Sequence, residues 1–313
     1  MLFDLAAGAL ISDGGLATEL EARGHDLSGA LWSARLLLDE PAAIQTVHAA
    51  YFRAGADIAT TATYQASFEG FAARGLTRAQ SARLWRRSVA LARAARDGCA
   101  DGQRRWVAAS VGPYGAARAD GSEYRGRYGR TVAELRAWHR PRMEVLAEAG
   151  ADLLALETVP DIDEAEALVD LVHDLGIPAW LSYTIDGAHT RAGQPLADAF
   201  AVAAGSDSIV AIGVNCCAPA DVAAAVESAS RIGKPVIAYP NSGEGWDAER
   251  RRWTGPAQFA PRQAQEWFAR GARIIGGCCR VGPAQIARLA AELRATPPHG
   301  DPVTGASGPG APG

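Results

Sequence analysis

Apolar residues along the chain fall into short unbroken runs separated by longer amphipathic stretches. Eight runs rich in Val, Ile, Leu and Ala stand out: Ala9–Ser12, Asp57–Thr63, Trp106–Val111, Asp152–Leu156, Ala179–Thr184, Ile209–Val214, Pro235–Tyr239 and Arg273–Ile275. Most lack the polar alternation of a half-exposed sheet, which predicts strands buried on both faces. Between them a helical period predicts helices over Pro41–Arg53, Thr77–Arg96, Val132–Ala149, Asp163–Leu175, Leu196–Ala204, Pro219–Arg231, Pro261–Arg270 and Pro283–Arg294. Proline near the first turn (Pro41, Pro219, Pro261, Pro283) and glycine just past the end (Gly55, Gly150, Gly176, Gly271) punctuate them. The strand–helix unit recurs about every 38 residues. Eight such units predict a (β/α)8 barrel, a single α/β domain over residues 1–295, with a doubly wound open sheet as the alternative. The Pro- and Gly-rich segment 296–313 has no apolar period and reads as a disordered tail.

Composition narrows the class of partner. With 313 residues, 48% of them hydrophobic and 21% charged, the body of the chain is well suited to a buried core. The net charge of -4 leaves no basic excess for nucleic acid. No segment approaches the roughly 18 apolar residues of a membrane span, and Met1–Ser12 has no basic start ahead of its apolar stretch. The expectation is a cytoplasmic protein that acts on small molecules. Five cysteines, Cys99 and the adjacent pairs Cys216-Cys217 and Cys278-Cys279, argue against a disulfide framework, because neighbours bridge only through a strained ring.

In a barrel of this kind the chemistry belongs on the loops that follow the strands. The unusual residues gather there: Asp13-Gly14-Gly15, Thr63-Tyr64-Gln65, Gly112-Pro113-Tyr114, Glu157-Thr158, Asn215-Cys216-Cys217, Pro240-Asn241-Ser242-Gly243 and Gly276-Gly277-Cys278-Cys279-Arg280. The paired cysteines follow strands six and eight, whose ends approach each other over the barrel mouth. Thiolates meeting there suit zinc, with Cys278, Cys279 and either Cys216 or Cys217 as ligands, or all four in a closed structural site. An open three-cysteine zinc would lower the pKa of a substrate thiol and make it an alkyl acceptor. Asp13 and Glu157 could hold a substrate ammonium, and the amides at Gly14-Gly15 a carboxylate. The rival from another class is a non-catalytic zinc or thiol redox sensor. The six histidines follow no metal spacing and read as structural or surface residues.

Taken together, Asp13-Gly14-Gly15, Glu157-Thr158, Gly213-Val214-Asn215-Cys216 and Gly276-Gly277-Cys278-Cys279-Arg280 resemble the zinc-dependent homocysteine S-methyltransferases over nearly the whole chain before the tail. Ser110-Val111-Gly112-Pro113-Tyr114-Gly115, Asp120-Gly121-Ser122-Glu123-Tyr124-Arg125-Gly126 and Tyr239-Pro240-Asn241-Ser242-Gly243-Glu244 are similar to the branch that uses S-methylmethionine. The resemblance implies a (β/α)8 barrel with zinc held by Cys216, Cys278 and Cys279. It places the homocysteine ammonium on Asp13 and Glu157 and the carboxylate near Gly14 and Gly15, with Thr61 as a neighbour and Asn215 among the substrate-binding residues. Cys217 departs from the small or aliphatic residue more usual there. A zinc-activated homocysteine thiolate would take a methyl group from a sulfonium donor, S-methylmethionine or S-adenosylmethionine, to give methionine. Tyr64, Tyr114 and Tyr124 are candidates to face the sulfonium through their rings. A betaine-dependent enzyme would share the zinc and homocysteine residues but carries an added C-terminal segment in this family.

Overall fold

The computed structural model describes residues 2–3, 5, 8–27, 32–247 and 252–295. The expected strands are all present: β1 (Leu10–Ile11), β2 (Ile58–Thr60), β3 (Trp106–Val111), β4 (Leu153–Val159), β5 (Ala179–Tyr183), β6 (Ile209–Asn215), β7 (Val236–Tyr239) and β8 (Ala272–Ile275). From β2 to β8 each strand pairs in parallel with the next, and β8 pairs in parallel with β1. The last seam, between β1 and β2, closes through a parallel bridge from Ser12 to Ile58. There the Asp13 amide donates to the Ile58 carbonyl at 3.0 Å and the Asp57 amide to the Ile11 carbonyl at 2.7 Å. The sheet is a barrel, and the open-sheet alternative is excluded.

Two apolar layers form, because the strands are buried on both faces. Alternate residues Ile58, Trp106, Ala108, Leu153, Ala155, Trp180, Ala211, Ile237, Tyr239 and Ile274 fill the interior, with Phe3 packed edge-on against Trp106 at 5.5 Å. The other parity joins the helices in the larger outer core. Counting on by two from the interior rows leads to Ser110, Glu157, Ser182 and Asn215, all buried. The barrel interior therefore turns polar at the C-terminal ends of its strands.

The helices largely keep the expected bounds. Pro41–Arg53 and Pro283–Arg294 begin on proline, Arg78–Asp97 and Val132–Ala147 open with capping boxes from Thr77-Gln80 and Thr131-Glu134, and Ile162–Leu175 ends at left-handed Gly176. Leu196–Ala201, Pro219–Ser230 and Gln263–Ala269 complete the outer ring, the last starting after rather than at Pro261. Short helices at Leu16–Ala22, Phe68–Ala72 and Tyr114–Arg118, and a longer one at Trp32–Asp39, were not expected. Five to eight residues are too few to display a helical period. Segment 296–313 lies outside the described residues. Among the described residues no helix is long and apolar enough to cross a membrane.

Candidate active site

Strand β7 lies between β6 and β8, and its exit templates the loops on either side. The Cys216 amide donates to the Tyr239 carbonyl at 3.2 Å, Cys278 to the Pro240 carbonyl at 2.7 Å, and Cys279 to the Asn241 Oδ1 at 3.1 Å. Ser242 returns its amide to the Cys279 carbonyl at 2.9 Å. Beyond the cysteines, Arg280 makes a two-point ion pair with Glu244, both contacts 2.9 Å. These bonds bring the sulfurs of Cys216, Cys278 and Cys279 within 4.8 Å of one another.

Strand alternation alone would turn Cys216 away from the barrel interior. Its left-handed backbone (φ 50°) reverses that, and Cys217 takes the place in the outer apolar core. Burial pushes the Cys217 thiol up, as expected of an inert core cysteine. Neither a ligand role for Cys217 nor a closed four-cysteine site fits this packing. Hydrogen bonds with Cys278 and Cys279, and with the Tyr124 hydroxyl at 3.2 Å, hold the Cys216 thiol low, while their bonds to Cys216 push the other two up. Three converging sulfurs, one of them already disposed to ionise, are a donor set for a thiophilic metal ion. Among the described residues no other group of His, Cys, Asp and Glu converges this way.

The carboxylates lie in the same cavity. Asp13 is buried, accepts from the Thr60 amide at 2.8 Å and the Thr60 hydroxyl at 3.1 Å, and is pushed up to about 8 by desolvation, with Glu157 adding to the rise. Glu157 accepts from the Ser110 hydroxyl and contacts the Tyr239 hydroxyl at 3.2 Å; burial pushes it up to about 7. From Tyr239 the chain runs to Ser182 at 2.7 Å and on to Asn215 Oδ1 at 2.8 Å. The Ser110 and Tyr239 hydroxyls donate to Glu157 and favour its carboxylate, and the desolvation of burial outweighs them.

Gly14 and Gly15 close one wall of this cavity. A Cβ on Gly14 would sit 2.0 Å from the Val281 carbonyl oxygen, and one on Gly15 2.6 Å from that of Cys278. The backbone can approach the cysteine loop only because both side chains are absent. Asp13, Gly14, Gly15, Thr18, Thr60, Thr61, Tyr64, Tyr124, Glu157, Cys216, Cys278 and Cys279 all line the cavity, whose only Asp, Glu, Lys, Arg or His side chains among the described residues are Asp13 and Glu157.

The profile of the homocysteine S-methyltransferase family matches residues 10–293. The homocysteine S-methyltransferase of Escherichia coli is 48% identical over 294 residues, covering 90% of this chain and 94% of that protein. Homocysteine S-methyltransferase YbgG of Bacillus subtilis is 45% identical over 297 residues, 91% of this chain and 94% of its own. The metallated crystal form of homocysteine methyltransferase MmuM from Escherichia coli matches with a TM-score of 0.81 at 46% identity, covering 91% of this chain and 96% of that one. The chain belongs to the homocysteine S-methyltransferase family.

Within this homocysteine S-methyltransferase, several residues expected at the site take other roles. The Gly15 amide already donates to the Val281 carbonyl at 3.0 Å, so it does not face a ligand. Thr61 reaches the cavity, but its hydroxyl is engaged with Thr63 at 2.8 Å and the Ser110 amide at 3.1 Å; its neighbour Thr60 serves Asp13. Asn215 is fully buried and does not line the cavity. It accepts from the Thr158 amide at 2.7 Å and donates to the Thr158 hydroxyl at 2.7 Å, pinning a β-branched residue at φ 60° directly after Glu157. Asn215 is thus a positioning residue rather than a substrate contact. Asn215→Ala is expected to orphan the buried Thr158 amide, destabilise the fold by about 1–3 kcal/mol, and raise the homocysteine KM through Glu157. Urea unfolding and steady-state kinetics check it, and unchanged values in both would refute the positioning role.

Of the three tyrosines considered, Tyr64 and Tyr124 line the cavity, whereas Tyr114 packs against Tyr128 and Trp138. Ser110, Thr60, Tyr239 and Asn241 were given no role from the sequence. All but Asn241 have the parity of the interior rows, a signal that the strand pattern carried.

Proposed function

We propose that the enzyme holds zinc on Cys216, Cys278 and Cys279 and transfers a methyl group from a sulfonium donor, S-methylmethionine, to the thiol of homocysteine. One observation carries the reading: three sulfurs within 4.8 Å of each other share a cavity with two buried carboxylates. Cys216, Cys278 and Cys279 would hold the zinc, which would supply the Lewis acidity that keeps a substrate thiol ionised at neutral pH. Asp13 and Glu157, once ionised, hold the homocysteine ammonium and so aim its thiol toward the three cysteines. Thr60, Ser110 and Tyr239 fix the two carboxylates. Their raised pKa values mean that a cation is a welcome partner in this low-dielectric pocket.

The new C–S bond forms with the homocysteine thiolate lone pair as the methyl–sulfonium bond breaks, and its electron pair returns to the donor sulfur. The donor leaves as a neutral thioether, so no side chain need supply a proton. What remains for the chain is alignment and exclusion of water. A cavity with two acids and, among the described residues, no basic side chain supports a cationic donor. The free thiols suit a reducing compartment, and we place the enzyme in the cytoplasm.

The test is methionine formation from homocysteine by the zinc-loaded protein, with S-methylmethionine, S-adenosylmethionine and betaine offered separately. Turnover with a sulfonium, abolished by a chelator and restored by zinc, is the expected result. Turnover with betaine alone would overturn the donor, and chelator-resistant turnover the metal.

A further inference from the structure

The loops after β2 and β3 are joined, outside the cavity, by a buried cation that the reading above does not use. Arg142, on the helix Val132–Ala147, is 3% exposed; its guanidinium donates through Nη1 to the Ala66 carbonyl at 3.4 Å and through Nη2 to the Gly112 carbonyl. Nη2 also meets His139 Nδ1 at 2.7 Å. A guanidinium can only donate, so Nδ1 accepts and the imidazole proton sits on Nε2, which donates to Glu164 Oε1 at 2.8 Å. Burial holds the ring neutral, as that tautomer requires. The same Glu164 oxygen accepts from the Tyr114 amide at 2.6 Å. The run of Arg142, His139 and Glu164 thus grips the exit of β3 twice, at the Gly112 carbonyl and the Tyr114 amide, and the exit of β2 once, at Ala66.

Both grips bear on Tyr64. Its side chain lines the cavity shared by the cysteines and the carboxylates, yet its hydroxyl has no hydrogen-bond partner among the described residues. Packing therefore sets its place, and Gly112 supplies the packing: a Cβ there would lie 2.5 Å from the Tyr64 carbonyl oxygen and 2.6 Å from its ring. Arg142 holds Gly112 by its carbonyl and Ala66 two residues beyond Tyr64, while neither Arg142 nor Gly112 lines the cavity. Apolar side chains can attach a helix to a barrel without desolvating a charge. What the guanidinium fork adds is a fixed separation between two carbonyls, one on each loop.

We propose that Arg142 is a positioning residue for methyl transfer: by tying Ala66 to Gly112 it fixes the Tyr64 ring in the cavity wall against the reacting substrates. This rests on the methyl-transfer reading above. Displacing a wall of the site disturbs alignment, which is worth up to about a hundredfold for small shifts. Because Arg142 acts through Tyr64, its loss should cost no further activity once the ring is gone.

The experiment compares zinc-loaded wild type, Arg142→Lys, Tyr64→Ala, their double variant and Gly112→Ala in kcat/KM for methyl transfer from S-methylmethionine to homocysteine, in bound zinc and in urea unfolding. Lysine keeps a positive charge near Glu164 but lacks the fork that spans both carbonyls. Gly112→Ala pushes on Tyr64 with Arg142 intact, so it decides the matter alone if Arg142→Lys does not fold. Arg142→Lys, Tyr64→Ala and Gly112→Ala should each lower kcat/KM roughly tenfold to a hundredfold with zinc content unchanged. The double variant should be no slower than Tyr64→Ala. Losses that multiply in the double variant overturn the inference, because a merely structural Arg142 would act independently of the ring. Full activity in Arg142→Lys, Tyr64→Ala or Gly112→Ala, against an active wild type, also overturns this inference alone. Loss of zinc overturns it too, by making the clamp a support for the cysteine loops. A wild type inactive with every donor overturns the methyl-transfer reading and this inference with it.

Discussion

Cys279→Ala is expected to lose its metal and more than about 100-fold of its activity, which is the upper end for removing a mere outer-sphere partner. Cys279 reaches the cluster from a backbone fixed on both sides, by Asn241 at its amide and Ser242 at its carbonyl, so no neighbouring side chain can swing in to replace its sulfur. The nearest spare thiol, Cys217, is buried in the outer core on the far side of the strand. Cys217→Ala is the matching control. It removes a small apolar side chain, should weaken the fold by ~1 kcal/mol through lost packing, and should keep both metal and turnover. Zinc content after dialysis, competition against a chelator and methionine formation separate the two variants. Full metal content in Cys279→Ala, or its loss in Cys217→Ala, would reverse the ligand assignment.

That contrast also marks where the sequence was legible. Period and punctuation were enough for the barrel, because parallel strands buried on both faces leave uninterrupted apolar runs, and proline and glycine mark the helix ends. The polar end of the barrel interior was legible in the same way: Ser110, Glu157, Ser182 and Asn215 stand at the last interior positions of their strands. Parity failed where the backbone leaves the extended region. Cys216, Thr158 and Arg280 all have positive φ, and nothing in their residue types announces it. Alternation alone would have sent Cys216 outward and Cys217 inward, the reverse of what the positive φ at Cys216 produces. Asn215 was misread for another reason: its amide looks free for substrate until the loop after β4 is seen folded onto it.

Asp13→Asn is expected to cut kcat/KM for homocysteine by about 30-fold to several thousand-fold, the 2–5 kcal/mol associated with truncating one partner of a buried charge pair. The same substitution should make the metal-free protein more stable at pH 8. Asp13 ionises near 8 in the fold but at its ordinary 3.8 when the chain is open. Between those values the folded state binds the extra proton, so wild-type stability falls as pH rises from about 4 to about 8. Glu157, raised to about 7, adds to the fall in the lower part of the window. Asparagine has no proton to lose, and its amide can still accept from the Thr60 backbone and donate to the Thr60 hydroxyl. The difference between wild type and variant should therefore be small at pH 4 and greatest at pH 8. Activity runs the other way, because an ammonium needs the ionised carboxylates: wild-type kcat/KM for homocysteine should climb through pH 7 to 8. Urea melts of the metal-free proteins at several pH values, alongside homocysteine kinetics of the zinc-loaded ones, test both halves. A variant that binds homocysteine as tightly as wild type would remove Asp13 from the ammonium site. One that loses binding without gaining stability at pH 8 would show instead that the buried carboxylate is already compensated before substrate arrives.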